Sequence, residues 1–330
     1  MVLDPAIAAV RLAVRTALAP LEGSGAAIVV ALSGGPDSLA LAVATAFEAP
    51  RLGLRVVTAT VDHGLQDDSA DVARRAAQQA RMAGAADARI VRVEVGAEGG
   101  PEAAARDARY AALREVAAEE GAAAVLLAHT LDDQAETVLL GLARGAGAGS
   151  LAGMPPRRVD ARGLAWLRPL LGLRRAQTHA FCRASDLAPW ADPHNDEDRF
   201  ARVRVRSRVL PVLEHELGPG VAEALARTAD QLREDNEAFA DMIDEVIEDI
   251  VEPAEAGIAI SVPALAANPP ALRHRIIRHV AQSEFGASLT RTQTLEVARL
   301  VSDWSGQGPI DLPGFTAARR AGLVVFAARA

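Results

Sequence analysis

The run Ser33-Gly34-Gly35-Pro36-Asp37-Ser38 stands between two apolar segments, AAIVVAL before it and LALAVATAF after it. Adjacent glycines let a backbone approach a ligand closely, and free N–H groups at the start of a helix attract an anion. The loop is suited to hold phosphate. Asp37 would repel a bare phosphate, so its presence points to a magnesium ion between carboxylate and pyrophosphate. The plainer reading is a glycine-rich turn in which Ser33 or Asp37 caps the helix.

A second constellation, His129, Asp132, Asp133 and Glu136, falls at offsets of 0, 3, 4 and 7 in HTLDDQAET. On a helix these positions share one face. Three carboxylates and a histidine could bind magnesium, or hold the ammonium of a cationic substrate and help take its proton. The helix dipole alone accounts for Asp132 and Asp133 in a first turn, but not for His129 and Glu136. Asp62-His63-Gly64-Leu65 closes another apolar run and is also an acceptable turn. Arg106, Arg109 and Tyr110 lie in EAAARDARYAAL, where arginines are either a solvated face or a planar contact for phosphate. LARGAGAGSLAGMPP, around Arg144 and Gly153, reads as a mobile loop or a lid.

Residues 151–208 hold twelve arginines against six acidic residues, a basic stripe inside a chain whose net charge is −8. Such a stripe, with Arg202, Arg204 and Arg206 at its densest part, fits RNA phosphates; the alternative is a set of salt bridges closing the domain.

The elements that must position these groups alternate. AAIVVAL, LRVVTATV, ARIVRVEV and AAVLLA read as buried strands, separated by the helical DVARRAAQQARMAG, PEAAARDARYAALREVAAEEG and LDDQAETVLLGLARG. Near-continuous apolar strands between helices predict an α/β fold, a doubly wound parallel sheet over residues 1–215, with ligands beyond the carboxyl ends of its strands. Residues 216–330 are expected to hold a long linker helix, VAEALARTADQLREDNEAFADMIDEVIEDIVE, then a small, mainly helical domain with short strands in GPIDLPGF and RRAGLVVFAAR. The acidic face of the long helix is a solvated surface or a steering field that repels RNA.

Composition removes several classes. All 35 basic residues are arginine, so a Walker lysine, a Schiff base and an adenylated lysine are excluded. One cysteine, Cys182, permits neither an internal disulfide nor a cysteine-held cluster, which with the absence of a signal peptide or spanning segment predicts a cytoplasmic protein.

SGGPDS resembles the SGGxDS signature of the PP-loop ATP pyrophosphatases, which cleave ATP between its α and β phosphates on a Rossmann-like sheet. VDHGLQ with Ser69 resembles the VDHGLR-x-x-S motif of the lysidine synthetases, with Gln66 in the usual arginine position. HTLDDQAET, the R-x-x-R-Y helix at Arg106 and Arg109, the R-G-x-G segment at Arg144, and the run from Trp190 through Asp192, Asn195, Asp198, Phe200, Arg202, Arg204 and Arg206 are similar to further motifs of that family. His194 stands where serine is common.

The resemblance covers residues 30–215 through five ordered motifs and the tail loosely, matching the family's shorter type. It implies an ATP-dependent carbon–nitrogen ligase that joins free L-lysine to the wobble cytidine of a CAU-anticodon tRNA(Ile), releasing AMP and pyrophosphate, and that forms a homodimer. It implies ATP and Mg2+ at Ser33, Gly34, Gly35, Pro36, Asp37, Ser38, Asp62, His63 and Arg106, with the metal on Asp37. Catalysis would rest on Asp37, His129, Asp132, Asp133 and Glu136, and substrate binding on Asp132, Asp133, Glu136, Arg109, Arg202, Arg204 and Arg206. A tRNA thiolase would need more cysteines. An ammonia-using amide synthetase would leave the basic stripe without purpose, and a non-catalytic RNA binder would not need both motifs.

Overall fold

The computed structural model describes residues 3–64, 69–94, 96, 100–145, 147–191, 197–254 and 257–329. They fall into two compact units, residues 1–233 and 234–330.

The first unit is built on a six-stranded sheet. Its strands are β1 (Ala27–Ala31), β2 (Arg55–Asp62), β3 (Asp87–Arg92), β4 (Ala122–Leu126), β5 (Arg157–Val159) and β6 (Ala165–Leu167), in the order β3-β2-β1-β4-β6-β5. All pairs are parallel except β5 with β6. The strand order reverses on either side of β1, and a cleft opens at such a point beyond the carboxyl ends.

Helices α1 (Pro5–Leu18), α2 (Pro36–Glu48), α3 (Ser69–Met82), α4 (Pro101–Glu119), α5 (Leu131–Ala143), α6 (Ala148–Leu151) and α7 (Arg175–Ala184) complete the layers. Because successive residues of a strand face opposite ways, Ile28 and Val30 join a core with Val10, Leu39, Leu41 and Phe181 on one face. Val29 and Val125 meet Leu113 and Trp166 on the other. The doubly wound α/β reading holds, with helices on both faces.

Beyond the sheet, α8 (Ala201–Arg204), a π-helical turn (Val205–Val209) and α9 (Leu210–Glu216) form one rod, followed by α10 (Val221–Ile250). Leu131 and Ala135 of α5 pack there on Leu210, Ala222 and Ala226.

The second unit carries the end of α10, then β7 (Val251–Ala254), β8 (Gly257–Ser261), α11 (Val262–Ala267), α12 (Pro270–Phe285), α13 (Arg291–Ser302), β9 (Ile310–Leu312), β10 (Phe315–Arg320) and β11 (Leu323–Ala328). Its five strands form an antiparallel sheet, β7-β8-β11-β10-β9. The helices cover it through Ile276, Ile277, Val297, Phe315 and Phe326. The strands expected in GPIDLPGF and RRAGLVVFAAR are present as β9, β10 and β11. Val251 and Glu252, expected to continue the long helix, instead open β7, because Pro253 cannot donate within a helix. Among the described residues, no helix is long and apolar enough to cross a membrane.

Candidate active site

β1 delivers its chain to Ser33, and α2 begins at Pro36 with Gly35 as a cap that has no side chain to spend on the helix N–H groups. Gly34 takes φ +87°, and a Cβ there would lie 3.4 Å from Val72 and 3.5 Å from Ala76. Its carbonyl accepts the Trp190 N–H at 2.9 Å. The hydroxyls of Ser33 and Ser38 lie 3.0 Å apart, and Ser38 donates to the Gly35 carbonyl at 3.0 Å, so the loop is braced from within.

This loop opens into a cavity of about 820 Å³, lined by Ser33, Gly35, Pro36, Asp37 and Ser38, by Asp62 and His63 beyond β2, and by His129 and Asp133 beyond β4. The volume suits a nucleotide-sized ligand. Five of its lining residues bring buried polar atoms that find no partner among the described residues: Thr60 Oγ1, His63 Nδ1, Arg109 Nε, His129 Nδ1 and His179 Nε2. Buried polar groups are normally satisfied, so a concentration of orphans in one cavity marks a ligand seat.

Asp37 accepts from the Thr178 hydroxyl and lies 3.6 Å from Arg175 Nε. Burial raises its carboxyl above the usual range, against the pull of Thr178 and Arg175, and Asp133 pushes the same way. Two desolvated carboxylates facing one cavity are a hard-oxygen donor set that fits a divalent cation. Among the described residues no group of three or more His, Cys, Asp or Glu could hold a metal ion by itself.

Asp62 accepts from the Gly64 N–H at 2.9 Å, the main cause that holds its carboxyl below the ordinary range; it fixes the turn that presents His63. His63 is lowered by burial and by Arg109. Gln66 and Leu65 lie outside the described residues, as do Asp192, His194 and Asn195.

The expected face of four residues is divided. α5 starts only at Leu131, with Thr130 as its cap in a reciprocal box with Asp133. His129 therefore precedes the helix and enters the large cavity from the strand-to-helix connection. Its pKa is pushed down to about 3, first by burial and then by Arg168, Arg109 and Arg106, so the ring is neutral. Asp133 lines the large cavity, whereas Asp132 and Glu136 line a smaller one of about 160 Å³. Arg175 and Arg206 line both.

Every one of these carboxylates has a cation. Glu136, fully buried, accepts from Arg206 Nε at 2.7 Å and Nη2 at 3.2 Å and from Arg175 Nη2 at 3.2 Å, with Arg202 Nε at 3.6 Å. Asp133 accepts from Arg175 at 2.9 Å. Asp132 takes the Arg175 N–H at 2.7 Å and Arg174 Nη2 at 3.1 Å; Arg174 continues to Glu223 at 2.8 Å. Arg202 also donates to Thr137 at 2.8 Å. The basic stripe is thus split: Arg202 and Arg206 turn inward, while Arg204 donates to the carbonyls of Asp198 and Arg199 at the surface.

On α4, Arg109 lines the cavity with its Nε shut off from solvent, and burial lowers its pKa. Arg106 is exposed, stacked 5.0 Å from the Tyr110 ring, and does not line the cavity. Gln134 explains its own place in the motif: its amide pairs with Met154, accepting the N–H at 2.8 Å and donating to the carbonyl at 3.0 Å. The segment after Gly153 is pinned to α5, while Arg144 stays exposed.

Of the residues not singled out from the sequence, four come from the start of α7, Arg174, Arg175, Thr178 and His179, with Thr60 of β2 and Glu223 of α10 beside them. The signal was available. Two arginines at a helix N-terminus oppose the dipole, which flags an acidic partner.

A family model described as a PP-loop domain matches residues 10–213, and one described as the TilS substrate binding domain matches residues 260–324. A tRNA(Ile)-lysidine synthase of Leifsonia xyli subsp. xyli is 59% identical, covering 92% of this chain and 90% of its own. Those of Salinispora tropica and Mycobacterium tuberculosis are 50% and 49% identical, covering 97% and 90% of this chain and 96% and 89% of their own. Among solved structures, the U34-tRNA thiolase NcsA from Methanococcus maripaludis superposes with a TM-score of 0.59 at 19% identity, over 69% of this chain and 80% of its own, a likeness of fold. With a PP-loop domain over most of the first unit and relatives of this identity along nearly its whole length, the chain belongs to the tRNA(Ile)-lysidine synthase family.

Proposed function

We propose that this protein is an ATP-dependent carbon–nitrogen ligase that forms lysidine at the wobble cytidine of a CAU-anticodon tRNA(Ile). O2 of the cytidine attacks the α-phosphorus of ATP and pyrophosphate leaves. The ε-amine of free L-lysine then adds to C2, loses a proton, and AMP departs, so that the tRNA reads AUA as isoleucine. The observation that carries this reading is a phosphate-loop cavity lined by buried polar atoms that are unpartnered among the described residues, joined through Arg175 and Arg206 to a second cavity that holds the carboxylates Asp132 and Glu136.

Ser33, Gly34, Gly35, Pro36 and Ser38 take the pyrophosphate end of ATP, and Asp62 and His63 border the nucleoside. Arg109 faces the charge that develops at the α-phosphoryl, where an oriented donor commonly contributes about 2.7–4 kcal/mol. Asp37 would hold magnesium with Asp133 nearby; when bound, that ion neutralises phosphate charge. Asp133 and Glu136 receive the lysine ammonium and help take its proton as the amine adds to C2, and neutral His129 lines the same cavity as Asp133. Asp132 fixes the start of α7. Arg204, exposed, and Arg106, at the edge of α4, suit RNA phosphates, and the second unit, with the linker preceding it, serves as a further tRNA contact. The protein works as a cytoplasmic homodimer, which mass measurement in solution tests.

The deciding experiment is mass spectrometry of the tRNA transcript after incubation with the protein, ATP, Mg2+ and isotopically labelled lysine. A labelled adduct on the wobble cytidine is expected, and Asp37→Asn should abolish pyrophosphate release without unfolding the protein. ATP cleavage without the adduct would overturn the choice of nucleophile.

A further inference from the structure

Arg175 reaches four of the acidic residues of the site, Asp37, Asp132, Asp133 and Glu136. Its guanidinium lies 2.9 Å from Asp133, 3.2 Å from Glu136 and 3.6 Å from Asp37, and its backbone N–H binds Asp132 at 2.7 Å. The backbone anchor fixes the base of the side chain, and the carbonyl of the same residue accepts the Thr178 hydroxyl at 2.7 Å. The guanidinium lines both cavities, so it can change partners without moving the helix.

A charge count makes the arrangement informative. Asp37, Asp133 and Glu136 are matched one for one by Arg175, Arg202 and Arg206, while Asp132, Glu214 and Glu223 gather on Arg174. An ammonium ion has no vacancy among Asp37, Asp133 and Glu136 unless one arginine withdraws. Arg206 holds Glu136 through two donors, at 2.7 and 3.2 Å, whereas Arg175 spreads over three partners and stands nearest to Asp37 at the phosphate loop. A planar guanidinium pairs with phosphate through the same two-donor fork that it offers a carboxylate.

We infer that Arg175 couples the two substrates: nucleotide phosphates entering beside Asp37 draw its guanidinium from Asp133 and Glu136, and the lysine ammonium takes the place it leaves. The inference rests on the proposed lysine site and adds to it an order, in which lysine binds weakly until nucleotide is present. Arg175 is a positioning residue for lysine and a phosphate contact for ATP.

Titration calorimetry of L-lysine into the full-length protein, with and without Mg2+ and α,β-methylene-ATP, tests this. Lysine should bind about 5- to 150-fold tighter with the analogue, the usual span of coupling between sites. In Arg175→Met, lysine should bind tighter than wild type without the analogue, and coupling should fall to within about twofold of unity; Arg175→Lys, which keeps a cation, should retain part of it. Equal lysine affinity in the wild-type protein with and without the analogue overturns the inference without recourse to any variant. So does coupling that survives in both variants. No lysine binding under either condition would instead overturn the lysine site on which the inference rests.

Discussion

Replacing Glu136 by glutamine removes one negative charge from the most deeply buried acid of the site and leaves its shape almost unchanged. Three hydrogen bonds, at 2.7, 3.2 and 3.2 Å, lose their charged acceptor. A bond to a charged group contributes about 1.5–3 kcal/mol and a neutral one about 0.5–1.5, so the loss is about 1 kcal/mol for each, or about 3 in total. Breaking a buried ion pair from one side costs about 3–5 kcal/mol. The lower end applies, since the side chains of Arg175, Arg206 and Arg202 keep 20%, 29% and 34% of their surface in water. For a unit of this size about 3 kcal/mol lowers the melting temperature by roughly 6–12 °C. Adding Arg206→Met to the glutamine variant removes a stranded cation and should restore part of the loss, whereas Arg206→Met alone should destabilise. Thermal melts of the four proteins of this cycle read the result, with lysine consumption followed in parallel. A fall below about 2 °C for Glu136→Gln, with strictly additive effects, would refute the closed network.

Arg109→Met should stabilise the fold by about 1–3 kcal/mol, because the orphaned donor it removes is costly to bury, while ATP-dependent pyrophosphate release collapses; a destabilised variant with normal release would contradict both halves. His129 titrates at about 3 in the fold and near about 6.5 when unfolded, so it contributes nothing to the pH dependence above that value. As pH falls below it, the unfolded chain takes a proton that the fold refuses, and stability declines. Urea unfolding between pH 7.5 and 5 should show a shallower decline for His129→Asn than for wild type. Gly153→Ala should cost about 2–3 kcal/mol, since φ is +62° and the new Cβ would sit 2.6 Å from the Gln134 oxygen that holds Met154; an unchanged denaturation midpoint would show that the loop yields freely.

The parallel sheet was legible because β1, β2 and β4 are buried on both faces and read as unbroken apolar runs, and because the motifs fall just after them. β5 and β6, at three residues each, are too short to show any period. The site was legible as residue types but not as partnerships. Counting arginines cannot tell inward from outward, and Arg202, Arg204 and Arg206 look equivalent as a stripe. Read as a helix, residues four apart share a face and the one between them does not, which separates Arg202 and Arg206 from Arg204. The π-helical turn at Val205–Val209 is not encoded in any pattern that spacing can detect. His129 departs from the helical face for a related reason: it precedes the cap, and Thr130 with Asp133 is the signature that sets the true start of α5.

The electrostatics of the cavity explain how a chain of net charge −8 can accept polyanions. Around Asp37, Asp133 and Glu136 charges are balanced by arginines, so that half of the site is closed to ions of either sign except by exchange. Around Arg109, His63 and His129 burial is the first cause that lowers the pKa of all three groups and neighbouring arginines push the same way, which leaves the buried Arg109 charge strained for want of hydration. An anion entering there relieves that strain in a medium of low dielectric, where each contact is stronger and less screened by salt than a surface arginine would be. On the coupling proposed for Arg175, the nucleotide is the first ligand. On the same proposal, only when its phosphates have drawn Arg175 away does the carboxylate half fall one positive charge short, the condition under which a small ammonium, and not a second phosphate, becomes the preferred guest.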